Sequence, residues 1–229
     1  MDRGEAQRHE VVIVGAGPGG LCAAIRLRDA GIEDFVILEK ADGVGGTWWH
    51  NRYPGAECDV RSHLYSFSFE PKADWTRPFA GQPEILAYVE HVARKYRVLP
   101  HCRFGREVTA ARWDEAAARW RVETASGEVV EARFLISAVG MFNELKWQDL
   151  PGLEDFAGRL FHSARWDQDY ALDGRRVAVI GSAASAVQFV PRIAPRTAAL
   201  HVFQRTANWV TPKDEAPYTE EEIERLRSD

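Results

Sequence analysis

The chain has 229 residues, 45% hydrophobic and 28% charged, with a formal net charge of −5, the profile of an ordinary globular protein of one or two domains. The acidic balance offers nothing to a nucleic-acid backbone or an anionic membrane, both of which select basic surfaces. The first apolar run, Val11 to Val14, is far too short for a signal or a membrane span. Three widely spaced cysteines, Cys22, Cys58 and Cys102, argue against a disulfide framework and a zinc site, and for a reduced, cytoplasmic setting.

Val11 to Val14 is a continuous apolar run that leads straight into glycines, and it reads as a buried parallel strand. Leu21 to Ala30 reads as a helix stopped by Gly31, and Phe35 to Leu38 as a second buried strand. Gly43 to Ser68 is rich in Gly, Trp, Tyr and Pro and lacks periodicity. A stretch of that length is functional or disordered, and its aromatic content argues against disorder. Pro83 to Tyr96 predicts a helix with Ile85, Val89, Val92 and Ala93 on one face. Val108 to Trp113, Trp120 to Thr124 and Val129 to Ala132 read as a meander, and Phe134 to Ser137 as a further strand. Leu150-Pro151-Gly152 marks a boundary. Arg176 to Ile180, a helix from about Ala184 to Ile193 and a strand from Leu200 to Phe203 repeat the opening pattern. Glu220 to Arg227 starts a charged helix. The fold class is therefore α/β. Two Rossmann-like dinucleotide-binding units flank a small inserted β layer, and both units read as incomplete.

Gly15-Ala16-Gly17-Pro18-Gly19-Gly20 carries the G-x-G-x-x-G pattern, and Glu39 follows at the end of the second strand. Glycines there make the tight turn, admit a pyrophosphate to the backbone and let the helix pack on the strand, while the acid takes the ribose hydroxyls. The helix N-terminus supplies unpaired N–H groups to the phosphates. The second loop, Gly181-Ser182-Ala183-Ala184-Ser185-Ala186, is weaker, because alanines stand where glycine is usual and a methyl at Ala183 would crowd a pyrophosphate. The strand after it ends in Gln204-Arg205-Thr206 with no acid. Arg205 is either an ordinary surface arginine or the partner of a 2′-phosphate; if the unit binds a dinucleotide, that favours NADPH over NADH.

Gly45-Gly46-Thr47-Trp48, Asn51-Arg52-Tyr53-Pro54-Gly55-Ala56, Cys58-Asp59-Val60 and His63-Leu64-Tyr65-Ser66-Phe67-Ser68-Phe69 together resemble the Baeyer–Villiger monooxygenases, within the flavin-containing monooxygenase class. Phe156, Gly158, His162, Trp166 and Asp167 match the family fingerprint F-x-G-x-x-x-H-x-x-x-W-(P/D) at every fixed position, just before the second Gly-rich loop. The resemblance implies an FAD-binding domain over 8–145, a linker with the fingerprint over 146–172 and an NADPH-binding domain over 173–229. It implies FAD at Gly15, Gly17, Gly19, Gly20, Glu39, Lys40, Gly46, Thr47, Trp48, Tyr65 and Val108. It implies NADPH at Gly181, Ser182, Ser185, Gln188, Arg205 and Thr206. Asp59 would lie beside the flavin ring as the one candidate for the catalytic centre, although an aspartate there also suits a turn cap. His162 and Trp166 would couple the two domains, and no metal is implied.

The reaction that the resemblance implies starts with hydride transfer from NADPH to FAD. A C4a-peroxyflavin then forms with O2, and one oxygen is inserted next to the carbonyl of a small ketone. The flavin carries that chemistry, and the protein orients and shields it. Members of the family run to more than twice this length and carry an active-site arginine further along, to which no residue here can be matched. The chain thus reads as a fragment, a truncated product or one piece of a split enzyme whose second chain supplies the remainder. Two other readings stand beside this one: an NADPH-oxidising flavoprotein without oxygen insertion, and a non-catalytic FAD-binding subunit.

Overall fold

The computed structural model describes residues 7–213 and 216–228. These fall into two compact units: the described residues of Met1–Trp49 with Ala87–Glu144, and those of His50–Leu86 with Leu145–Asp229.

The first unit opens with β1 (Gln7–Val14), α1 (Pro18–Asp29) and β2 (Phe35–Leu38). Pro18 occupies the first turn of α1, where its missing N–H costs nothing. The helix ends at Gly31, whose φ of +79° only glycine adopts freely and whose N–H donates to the Arg28 carbonyl at 2.9 Å. A short helix α2 (Thr47–His50) and the long α3 (Gln82–Lys95) follow along the chain, each with residues in both units, and α3 buries Ile85, Val89, Val92 and Ala93 as their helical spacing predicts. Then come β3 (Cys102–Arg103), β4 (Val108–Asp114), β5 (Arg119–Thr124) and β6 (Val129–Ser137).

One sheet holds all six strands, in the order β3-β2-β1-β6-β5-β4. β1 pairs in parallel with both β2 and β6, β2 in parallel with β3, and β5 antiparallel with both β4 and β6. The expected β layer is thus an antiparallel extension of the parallel sheet itself. Phe134 to Ser137 is the second half of β6 rather than a further strand. No Gly or Pro interrupts the run, and Arg133 between the halves reaches out to Glu10 at 2.7 Å. All four residues of β2 are buried, as are Val11, Val12 and Ile13 of β1. Val12, Val36, Leu38, Val122, Val130 and Ala132 form one buried cluster across the sheet. Burying each of its valine and leucine side chains contributes about 1.5–3 kcal/mol, so register is firmly held where the two strand types meet.

The second unit contains β7 (Arg176–Ile180), α4 (Ala184–Ile193), β8 (Ala199–Phe203) and α5 (Glu220–Ser228). β7 and β8 form a two-stranded parallel sheet. α4 packs through Ala186, Phe189 and Ile193 against Leu172 and Val179, with Tyr53, Trp166 and Tyr170 around them. α5 opens on a reciprocal cap: the Glu222 N–H donates to Thr219 Oγ1 at 3.3 Å, and the Thr219 N–H to Glu222 Oε2 at 2.8 Å. Ile180, Val202 and Phe203 on the two strands are exposed. Both strand–loop–helix–strand units of the expected α/β fold are present. Among the described residues, no helix is long and apolar enough to cross a membrane.

Candidate functional site

In the first unit, the Gly-rich loop joins β1 to α1. Gly15 has φ +104°, and a Cβ there would sit 2.5 Å from the Ala138 carbonyl oxygen. A Cβ on Gly20 would sit 1.9 Å from the Gly15 oxygen, which is how closely α1 lies on the strand end. A Cβ on Gly19 would meet nothing within 4 Å, so that side of the loop is open. The first turn of α1 itself carries no acidic residue.

Glu39, at the end of β2, is buried. Its Oε2 accepts the Ala16 N–H at 2.7 Å and its Oε1 the Ala41 N–H at 2.8 Å. The carboxylate therefore ties the Gly-rich loop to β2, and each oxygen keeps a lone pair for a further donor. Burial, with the negative Glu39 nearby, pushes the Cys102 thiol up to about 12. Lys40 is half-buried beside Glu39. Gly46 lies against Gly17, Thr47 is exposed at the start of α2, and Trp48 is buried. Val108 packs partly buried against the sheet core.

In the second unit, Gly181 has φ +107°, and its N–H donates to the Phe203 carbonyl at 2.8 Å. The Asn208 side-chain amide donates to the Ser182 carbonyl and, at 3.2 Å, to Ser182 Oγ. Ser182 Oγ lies 3.5 Å from the Thr206 carbonyl. Arg205 and Thr206 are exposed just past β8. Here too the first helical turn carries no acid. Burial raises the pKa of the Tyr53 hydroxyl, and a hydrogen bond with Ser185 partly offsets that.

The same unit gathers the Tyr53–Asp59 segment onto α4. The Tyr53 hydroxyl donates to Gln188 Oε1 at 2.9 Å, and Gln188 Nε2 donates to the Glu57 carbonyl at 3.1 Å and to Asp59 Oδ1 at 3.3 Å. Gln188, read from the sequence as facing a nucleotide, has its carboxamide engaged by this segment. Lys213 Nζ donates to Asp59 Oδ1 at 2.7 Å, Glu57 Oε1 at 3.0 Å and the Cys58 carbonyl at 3.1 Å. Burial alone would lower the Lys213 pKa, but the bonds to Asp59 and Glu57 outweigh it and raise it. Sequence reasoning missed Lys213, since a lone lysine in an acidic, proline-containing stretch matches no motif. Tyr65 lies half-buried after the short turn Ser62–Leu64.

The fingerprint residues lie around the same helix. The Trp166 ring packs on Phe189 of α4 at 5.2 Å between centroids. His162 Nδ1 accepts the Ala164 N–H at 3.1 Å and so caps the turn Ser163–Arg165, while Trp147 meets the ring edge at 5.6 Å. Burial, and then the positive Arg165, hold the His162 pKa down. Asp167 pairs with Arg159, whose Nε donates to Oδ2 at 2.7 Å. Gly158 lies under the exposed Phe156 ring, 2.5 Å from where a Cβ would stand. Among the described residues, no cluster of His, Cys, Asp and Glu could hold a metal ion.

Residues 12–229 match the family model described as pyridine nucleotide-disulphide oxidoreductase. A Baeyer-Villiger monooxygenase of Streptomyces coelicolor is 53% identical over 210 residues, which cover 90% of this chain and 40% of that protein. The cyclohexanone monooxygenase of Rhodococcus sp. Phi1, solved bound to NADP+, superposes with a TM-score of 0.93 at 39% identity over 98% of this chain and 43% of its own. The solved complex of OTEMO with FAD and NADP superposes with a TM-score of 0.92 at 38% identity over 98% of this chain and 44% of its own. The chain thus spans about 40% of the length of the curated relatives it matches. Their further length lies within one polypeptide, which gives the expectation of a second chain no support. By the match over residues 12–229, the chain belongs to the pyridine nucleotide-disulphide oxidoreductase family, and its relatives there are Baeyer–Villiger monooxygenases.

Proposed function

We propose that this chain carries the FAD site and part of the NADPH site of a flavin-dependent monooxygenase of Baeyer–Villiger type, which inserts one oxygen of O2 next to the carbonyl of a small ketone. The observation that carries the reading is the Glu39 carboxylate, buried at the end of β2 and aimed at the Gly-rich loop. A dinucleotide fits that frame. The open side at Gly19 and the acid-free first turn of α1 suit a pyrophosphate, and the free lone pairs of Glu39 suit ribose hydroxyls. The NADP and FAD held by the solved relatives support the same assignment.

Bound FAD would supply the redox chemistry and the activation of O2. The residues of this chain would hold and orient the two cofactors. Gly15, Gly17, Gly19 and Gly20 would line the FAD pyrophosphate, with Lys40, Gly46, Thr47, Trp48, Tyr65 and Val108 along the cofactor. Gly181, Ser182 and Ser185 would receive the second dinucleotide, and Arg205 with Thr206 its 2′-phosphate. Asp59 would be the acidic group of the reaction centre, held by Lys213 and Gln188. The three cysteines are free, in keeping with a reducing, cytoplasmic setting.

The first experiment is a visible spectrum of the chain after incubation with FAD and desalting. A retained flavin band that NADPH bleaches without O2, followed by ester or lactone formation from a simple ketone in air, is the expected result. NADPH oxidation without product would replace the reading with an oxidase. A folded chain that keeps no flavin would overturn it.

A further inference from the structure

We propose that Lys213 is a positioning residue: it clamps the Glu57–Asp59 segment and links the Asp59 carboxylate to the second Gly-rich loop. The inference rests on the functional reading above, in which that loop takes NADPH and Asp59 serves the reaction centre. Three observations within the second unit carry it. The ammonium of Lys213 donates to three acceptors on three consecutive residues: Glu57 Oε1 at 3.0 Å, the Cys58 carbonyl at 3.1 Å and Asp59 Oδ1 at 2.7 Å. That uses all three of its protons and fills its coordination. Phe79 covers the ammonium from 5.0 Å, so the clamp is shielded from water on that side. Lys213 also lies five positions after Asn208, whose amide donates to Ser182 of the Gly-rich loop.

Residues 204–213 therefore run as one strap from the end of β8, past the loop, to the clamp. Arg205 and Thr206 sit at the strap's start, so a nucleotide phosphate held there pulls on the same segment that ends at Lys213. A ligand shifts such an equilibrium only by its differential affinity for the two states. Here the two states are a closed clamp and one released from Asp59. Nucleotide binding and clamp closure then favour each other reciprocally. The distance from Ser182 to Asp59 is bridged by covalent chain and named hydrogen bonds alone.

Cys58 gives a readout that needs no turnover. It is buried, its Sγ donates to the Val60 carbonyl at 3.1 Å, and its own carbonyl is one of the clamp's acceptors. Alkylation by iodoacetamide, quantified per cysteine by peptide mass spectrometry, measures local opening of that segment. Cys102 in the other unit reports global unfolding in the same sample. Lys213→Met is expected to speed Cys58 labelling at least about tenfold, equivalent to about 1.4 kcal/mol of lost closure, with Cys102 unchanged; Lys213→Arg is expected to restore protection. NADP+ should slow Cys58 labelling in the wild type and lose that effect in Lys213→Met. Equal Cys58 rates in wild type and Lys213→Met overturn the clamp. NADP+ that binds by calorimetry yet protects both proteins equally, or neither, overturns the link to the loop. Absence of any NADP+ binding to the wild type removes the functional reading instead, while the cofactor-free comparison of Cys58 rates still decides the clamp.

Discussion

Gly17 and Ala183 hold the same backbone geometry at the N-caps of their helices, with φ, ψ of −74°, −178° and −72°, −177°. Neither conformation demands glycine. A Cβ on Gly17 would stand 3.4 Å from the Gly46 Cα, an ordinary contact, whereas Gly46, at φ +56° and with its own Cβ 2.9 Å from the Gly17 Cα, has to be glycine. The departure at Ala183 is therefore no backbone defect of the second loop; the residue is exposed in extended backbone that any residue adopts.

Gly20 and Gly19 should respond in opposite ways. Gly20→Ala forces a methyl onto the Gly15 carbonyl at 1.9 Å, backbone against backbone, and should cost at least about 1–3 kcal/mol. Gly19→Ala meets nothing within 4 Å and should leave stability within about 0.5 kcal/mol, while weakening FAD retention. Urea melts of the two variants, run beside flavin spectra, check both.

Glu39→Gln should lower stability even without cofactor. The carboxylate accepts two backbone N–H groups, from Ala16 and Ala41. The amide can accept only one well and turns its NH2 toward a donor, a loss of about 1–3 kcal/mol. Equal denaturation midpoints for wild type and variant in the absence of FAD would refute this.

His162 should make the second unit acid-sensitive. Its Nδ1 accepts a backbone N–H, so the neutral ring is the native form, and burial and Arg165 hold its pKa below the ordinary 6.5. The folded value is depressed, so the His162 contribution is complete above about pH 6.5 and is lost as pH falls through the folded value. An NMR titration of the His162 ring should give a midpoint below 6.5, and His162→Asn should flatten the stability profile in that window.

Arg205→Gln should weaken binding of 2′,5′-ADP by about 1.5–3 kcal/mol, the usual range for a hydrogen bond to a charged group, while leaving 5′-AMP nearly unchanged. Calorimetry with both ligands separates a 2′-phosphate partner from an ordinary surface arginine: equal losses would assign Arg205 no such role.

Local sequence determined much of this protein. Short apolar runs placed β1, β2, β7 and β8, with a glycine directly after β1 and β7, and helical spacing placed α3 and α4, because strand and helix periods depend on neighbouring residues alone. The Gly-x-Gly-x-x-Gly loop and its trailing Glu39 were legible for the same reason. Only the tertiary structure decided that Val129 to Ser137 is a single strand shared by the parallel and antiparallel parts of the sheet, since pairing partners lie far along the chain. It also decided that Gln188 engages Tyr53, more than a hundred positions away, and that Lys213 holds Asp59. Side-chain hydrogen bonds across such separations follow from how whole elements pack, and no local pattern encodes them.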